Sequence, residues 1–268
     1  PVTDRLVRYG LGAVKGTGQA AIEAIVAARE GTADKEGQGG GPFRSLFDFC
    51  ARVDRQRVNK RVVEALIKAG AFDALHPDRA TALASVGLAF EWAETQDAHA
   101  LQAGLFDFGD THGSSTQEPA LAHAEPWGLR ERLMLEKAAL GFYLSGHLFE
   151  EHGEEVRRFA RRRIADLTDS REVQLLAGIV TGLRIVNGQR GRTAIFKLDD
   201  ASDAIEAVVN EELLDANREL LAEDALVIAQ GKVQLDRFNG GLRFSVNALW
   251  DLPAARARFG RYLQVALN

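Results

Sequence analysis

The chain is 268 residues long, 46% hydrophobic and 26% charged, which suits one to three compact cores and excludes wholesale disorder. Its single cysteine excludes an internal disulfide and a multi-cysteine zinc site, and no apolar run approaches the ~18 residues of a membrane span. The net charge of −5 is unevenly spread, +3 over residues 1–75, −10 over 76–155 and +2 over 156–268, so a polyanion is repelled by the middle third and tolerated by both ends.

The sequence opens at Pro1 and not at an initiator methionine, the mark of a piece of something longer. GLGAVKGTGQAAIEAI, Gly10 to Ile25, sets Gly-Thr-Gly between a short apolar stretch and a predicted helix, Ala20 to Arg29, with apolar positions 21, 22, 25 and 26. Glu30 to Pro42 is a Gly-rich polar linker. In LFDFCARV, Cys50 reads as a buried small hydrophobe, in keeping with a reducing cytoplasm. Arg57 to Gly70 pairs Val58, Val62 and Leu66, then Val63 and Ile67, at fourfold spacing and stops on a glycine, as a helix does. An Ala-rich helix is expected over Arg79 to Gln102. It leads into QAGLFDFGD and a second linker, Phe106 to Pro119, before an amphipathic helix from Gly128 to Leu144.

The texture changes near Glu172. Five β-branched-rich runs follow, separated by Gly, Asn and Asp turns, with one helical insert, Glu211 to Glu223, between the third and fourth. That order is the order of an OB-fold, and Gly178 and Gly182 fit the bend its long first strand needs. A last helix is expected from Pro253 to Leu267.

Apolar-Lys-Gly-x-Gly ahead of a helix resembles a helix-hairpin-helix motif. Val14, Ala20 and Ile22 would pack the hairpin, while Lys15, Gly16, Thr17, Gly18 and Gln19 would face a DNA phosphate at the helix start. A plain capping turn is the alternative. ALIKAGAFDAL, Ala65 to Leu75, repeats the rhythm with Lys68 and Gly70. Its alternative is a helix ended by Gly70, with Phe72 and Leu75 packed in the core.

In the barrel, Arg184, Asn187, Arg190, Arg192, Phe196, Lys197, Lys232, Arg237, Phe238, Arg243 and Phe244 are the candidates for facing a single strand, by cations for backbone and rings for bases. Phe196 and Phe244 read first as core, and Arg190, Arg192 and Arg237 lie in or beside turns. RRFARRR, Arg157 to Arg163, is either a DNA patch or a solvated helix face balanced by Glu150, Glu151, Glu154 and Glu155, and the second reading is preferred. His147 reads as a helix-end or core histidine. No catalytic motif, metal site or cofactor site stands out.

RYGLGAVKGTGQAAIEAIVAAR, SLFDFCARVDRQRVNKRVVEALIKAGAFDAL and EKAALGFYLSGH, in this order ahead of an OB-fold, resemble the bacterial replicative DNA polymerase III alpha subunit, a C-family polymerase, over almost the whole chain. The resemblance implies a multidomain α-then-β chain: a tandem helix-hairpin-helix DNA-binding domain over 1–101, a clamp-binding segment and linker over 102–126, connecting helices over 127–171, a five-stranded OB-fold barrel over 172–252 and a C-terminal helix over 253–268. It places the chain after the palm and fingers, without the catalytic aspartates, and without the tau-binding domain that follows the barrel. It also implies that QAGLF, through Gln102, Leu105 and Phe106, docks on the sliding clamp (beta subunit). Double- and single-stranded DNA and other replicase subunits are further expected partners, with no cofactor in this part of the polymerase and no membrane. Leu148, where the family commonly has proline, and Thr193, where methionine is frequent, depart from the pattern. A DNA-repair or recombination protein with hairpin and OB domains, or an OB-based interaction scaffold, are the competing expectations.

Overall fold

The computed structural model describes residues 9–32, 40–105, 117–188, 191–236 and 240–260, and of 100–105 the backbone alone. The chain divides into two compact units, Pro1–Ser145 and Gly146–Asn268, so the division falls inside the segment expected to connect the domains.

The first unit is helical. A 3-10 turn, Leu11–Ala13, precedes α1 (Gln19–Glu30), α2 (Leu46–Arg52), α3 (Lys60–Lys68), α4 (Arg79–Ala84), α5 (Val86–Leu105) and α6 (Leu129–Leu140). The fourfold pattern of α3 is fulfilled: Val62, Val63, Leu66 and Ile67 are all buried. Asn59 caps its start, accepting from the Val62 N–H at 3.1 Å. Gly70 closes its end with φ at +84°, its own N–H donating to Ile67 O and that of Ala71 to Leu66 O, the paired bonds of a Schellman stop.

Three features depart from expectation. SLFDFCAR, left unassigned from the sequence, forms α2, capped by Ser45 Oγ accepting from Asp48 N at 2.9 Å. The expected helix from Arg79 to Gln102 is two helices broken at buried Ser85, whose hydroxyl donates to Thr81 O (2.7 Å) and accepts from Ala122 N (2.9 Å). α6 stops at Gly141, short of the expected Leu144, because that residue is left-handed at φ +94°. Its Ala139 and Leu140 join the core, where Phe47 meets Trp92 and Phe49 meets Phe72 edge-on.

The second unit is a closed five-stranded barrel. Short turns over Leu148–Glu151 and Ile164–Asp166, with the one-turn α7 (Gly153–Val156) between them, lead to β1 (Val173–Gly188), β2 (Gly191–Asp199) and β3 (Ala204–Val209). α8 (Glu211–Ala216), β4 (Leu226–Leu235), β5 (Leu242–Trp250) and α9 (Leu252–Phe259) follow. The strand order is β1-β2-β3-β5-β4, with β3 and β5 parallel and the other pairs antiparallel.

One long strand serves two neighbours. The first half of β1 pairs with β4, from Val173 opposite Lys232, and the second half with β2, ending at Gly188 opposite Gly191. The change of partner needs both glycines the sequence marked: a Cβ on Gly178 would stand 2.7 Å from Asp199 O, and Gly182 takes φ +62° within the register shift between Thr181 and Arg184. The helical insert is shorter than expected, since Asn217 leaves the helix and its amide donates back to Leu213 O at 2.9 Å. Alternation in β2 and β5 sends Phe196 and Phe244 inward, both almost wholly buried, beside Leu198, Ile205 and Val246.

Candidate nucleic-acid interface

The first hairpin is built to leave one helix start open. Val14 is buried beneath it and Ile22 half-buried; Ala20, expected to pack, is exposed, and Ala21 takes the inward place. Gly16 turns the chain at φ +87°. Thr17, expected to face phosphate, is buried; its hydroxyl lies 2.6 Å from Val14 O and 2.9 Å from Leu11 O, and its N–H goes to Val14 O. That residue shapes the turn and offers no donor outward. No side chain caps α1 behind Gly18, so the first amides of the helix await an outside acceptor at its positive end.

Lys15 is exposed beside that opening, its N–H donating to Ala139 O at 2.8 Å and its chain passing over Gly141. Among the described residues no carboxylate pairs with it. Gln19 is exposed and donates from Nε2 to Glu23 Oε1 at 2.8 Å.

The second turn is closed instead. Gly70 sits under the Arg79 guanidinium, which would collide with any Cβ there, and Arg79 Nη1 donates to Lys68 O at 3.3 Å. The helix that follows, α4, is capped by a carboxylate, Asp78 Oδ1 accepting from Ala80 N at 3.0 Å. Lys68 and Gly70 therefore lie at a sealed helix end, without the open amides of the first hairpin. Phe72 is core and Leu75 packs against it, as the alternative reading has it.

Sequence reasoning missed what seals that end. Arg79 is 8% exposed and forks onto Asp73 (Nε–Oδ1 2.7 Å, Nη2–Oδ2 2.7 Å), and its Nη1 lies 3.1 Å from Oε1 of fully buried Glu136. Glu136 Oε2 in turn accepts from Leu144 N (2.6 Å) and Ser145 N (2.8 Å). Burial pushes the Glu136 carboxyl up, but those two amides and Arg79 outweigh it and hold it below the ordinary carboxylate range. The partners lie 57 positions apart, and no local pattern announces such a pair.

On the barrel, the cations carry their own counter-ions. Arg192 pairs with Glu211 (2.7 Å) and Asp215 (2.8 Å), Arg243 with Glu206 and Asp236 (both 2.7 Å), and Arg184 more loosely with Glu206 (3.4 Å). Lys197 and Lys232 are exposed on outward positions of β2 and β4, and among the described residues no ion pair engages them. Asn187 is exposed near the end of β1. Arg190, Arg237 and Phe238 lie outside the described residues. Phe196 and Phe244 lie inside the barrel, as their first reading has it, and so offer no face to a base, while the Trp250 ring at the end of β5 is engaged by Phe259 and Arg258.

The remaining candidates fall into structural roles. Arg157 is ion-paired to buried Asp200 and lies over the Phe149 ring, while Arg161, Arg162 and Arg163 are exposed on irregular chain beyond α7, not on a helix. His147 is a helix-end residue: its Nδ1 accepts from Phe149 N at 3.1 Å, and its Nε2 lies 3.2 Å from Asp199 Oδ1, a bond that raises its pKa. Leu148, one departure from the family pattern, is buried, and Thr193, the other, is half-buried. Cys50 is wholly buried, which pushes its thiol up to about 12. The backbone of Gln102 to Leu105 forms the last turn of α5, which runs past the expected helix end at Gln102, and Phe106 lies outside the described residues. Among the described residues no group of His, Cys, Asp and Glu could hold a metal, and no helix is long and apolar enough to cross a membrane.

The chain matches the helix-hairpin-helix motif over residues 2–82 and the OB-fold nucleic acid binding domain over residues 175–252. It is 40% identical to the DNA polymerase III subunit alpha of Neisseria meningitidis serogroup A over 100% of its own length and 22% of the relative's. With the same subunit of Pseudomonas aeruginosa it shares 39% over 99% of this chain and 23% of the relative. Among solved structures, the second OB-fold domain of replication protein A from Methanococcus maripaludis overlaps 38% of this chain and 98% of its own at 16% identity and a TM-score of 0.28. The chain thus spans under a quarter of the length of the curated relatives it matches. Homology from end to end, with the hairpin motif and the OB-fold in that order, makes this chain a member of the DNA polymerase III alpha-subunit family.

Proposed function

We propose that this chain holds DNA for a replicative polymerase in the cytoplasm, without catalysing a step or requiring a cofactor itself. The first hairpin takes a duplex phosphate on the opening amides of α1 beside Lys15, the barrel takes single-stranded template, and QAGLF docks on the sliding clamp. The uncapped start of α1, standing next to an unpaired lysine in a helix-hairpin-helix motif, is the observation that carries the reading. The barrel part is supported by its match to a nucleic-acid-binding domain, the clamp part by the pentapeptide pattern alone. Homology to polymerase subunits along the whole chain favours this over a repair protein. A scaffold without DNA affinity remains the contrasting case for the barrel.

Gly18→Asp separates a phosphate seat from a capping turn. Gly18 has extended backbone and open space around it, so aspartate fits and caps the helix, which stabilises α1 by a few tenths of a kcal/mol. The same carboxylate occupies the amides and repels phosphate. The expected result is an unchanged or higher melting temperature together with weaker duplex binding, and a log–log salt dependence shallower by about 0.9 per phosphate lost. Duplex affinity equal to that of the unaltered chain would leave the hairpin a turn and nothing more.

A further inference from the structure

On the reading that the barrel binds single strands, we infer that Glu206 sets the affinity of this face, a tethered counter-ion that single-stranded DNA must displace to reach Arg243 and Arg184. The register places this carboxylate at the centre of the outer face. Lys197 of β2 lies directly across from it, and Arg243 of β5 lies across on the parallel side. Arg243 sends Nε (3.0 Å) and Nη2 (2.7 Å) to a single oxygen, Oε1, while Arg184 of β1 reaches Oε2 at 3.4 Å.

Two guanidinium groups from two strands thus hold one acid, with Lys197 on a third strand across from it, and that acid is only 28% exposed and held in place by the fork. A phosphate approaching these strands meets guanidinium groups already neutralised, and it must compete with a carboxylate that is always present at short range. With Phe196 and Phe244 buried inside and Trp250 engaged by Phe259 and Arg258, little stacking offsets that competition.

The consequence concerns both strength and salt response. A strand that replaces Glu206 gains contacts to Arg184 and to Arg243, which keeps Asp236 as a second counter-ion, but frees the Glu206 carboxylate into the same neighbourhood. Part of the expected release of small ions is therefore replaced by an internal exchange. Affinity for single strands is held low, and its salt dependence is shallower than the number of phosphates touched.

The test uses the whole chain and a labelled oligo-dT, with binding followed against salt by fluorescence anisotropy. Glu206→Gln, which keeps the size of the side chain, is expected to tighten binding about two- to fivefold. It should also steepen the log–log slope by about 0.7 for each phosphate newly engaged. Lys197→Glu, on the neighbouring outward position, is expected to weaken binding. An unchanged or weaker affinity in Glu206→Gln, alongside the loss in Lys197→Glu, overturns the role given to Glu206 and leaves the barrel a single-strand binder. No binding by the unaltered chain at low salt, with hairpin-dependent duplex binding intact, defeats the barrel reading and the inference with it.

Discussion

Replacing Glu136 by alanine is expected to destabilise the helical unit by roughly 3–5 kcal/mol, the usual cost of removing one partner from a buried ion pair. Both carboxylate oxygens are in use, one on Arg79 and the other on the amides of Leu144 and Ser145, and the side chain is fully buried. Alanine leaves the N–H groups of Leu144 and Ser145 and part of a buried guanidinium without their acceptor. Glu136→Gln should fall between, because one amide oxygen serves either Arg79 or the two N–H groups while its NH2 opposes the other side. Since the folded carboxyl titrates below its unfolded value, its contribution is complete above the ordinary carboxylate range and is lost as pH falls through the lowered folded value. Urea unfolding at neutral and acid pH reads both effects: the gap between the unaltered chain and Glu136→Ala should narrow in acid. A loss under 1 kcal/mol at neutral pH would mean that water replaces the carboxylate at little cost.

Leu105→Ala with Phe106→Ala is expected to abolish capture by the sliding clamp while leaving DNA affinity unchanged. Burying those two side chains in an apolar cleft is worth about 3–6 kcal/mol, so their loss weakens the contact by about a hundredfold or more. The single contact is expected to be weak, micromolar or looser, because ordering each residue costs about 1–2 kcal/mol. DNA held by the same chain raises the effective concentration of an encircling ring and restores avidity. The backbone adds a feature the sequence did not announce, since α5 runs on to Leu105. A clamp peptide would be presented from a helix end, not from the middle of a loop. Clamp pull-down with the doubly altered chain decides the matter; capture at the unaltered level contradicts the docking assignment.

The fold was legible wherever local pattern and covalent geometry decide it. The fourfold spacing of α3, its glycine stop and the five-strand order all follow from short-range rules. So do Gly178 and Gly182, because only glycine meets the close approach and the left-handed turn of β1. α2 carries a local signal too: Ser45, three residues before Asp48 and just after the glycine linker, caps the start of the helix. Alternation through Ala194-Ile195-Phe196-Lys197-Leu198 sends Phe196 inward, as its first reading has it.

The candidate site was less legible, for a physical reason. Charge in a sequence is counted residue by residue, whereas its effect depends on what lies across the sheet. Arg192 and Arg243 look like free cations until β3 and α8 bring Glu206, Glu211 and Asp215 against them. Lys68 and Gly70 look like a copy of the first hairpin until Arg79 folds over them. Thr17 is the reverse case, a polar residue in a glycine turn that spends its hydroxyl on holding the turn together.

The claim that matters most is that the start of α1 receives a phosphate, and amide hydrogen exchange on the whole chain, with and without saturating primed DNA, tests it most directly. Exchange at Gly18, Gln19 and Ala20 is expected to slow on binding, because these N–H groups gain an acceptor, and Gly18→Asp should remove the difference. DNA that binds at saturation while those amides exchange at their free rates would contradict the account.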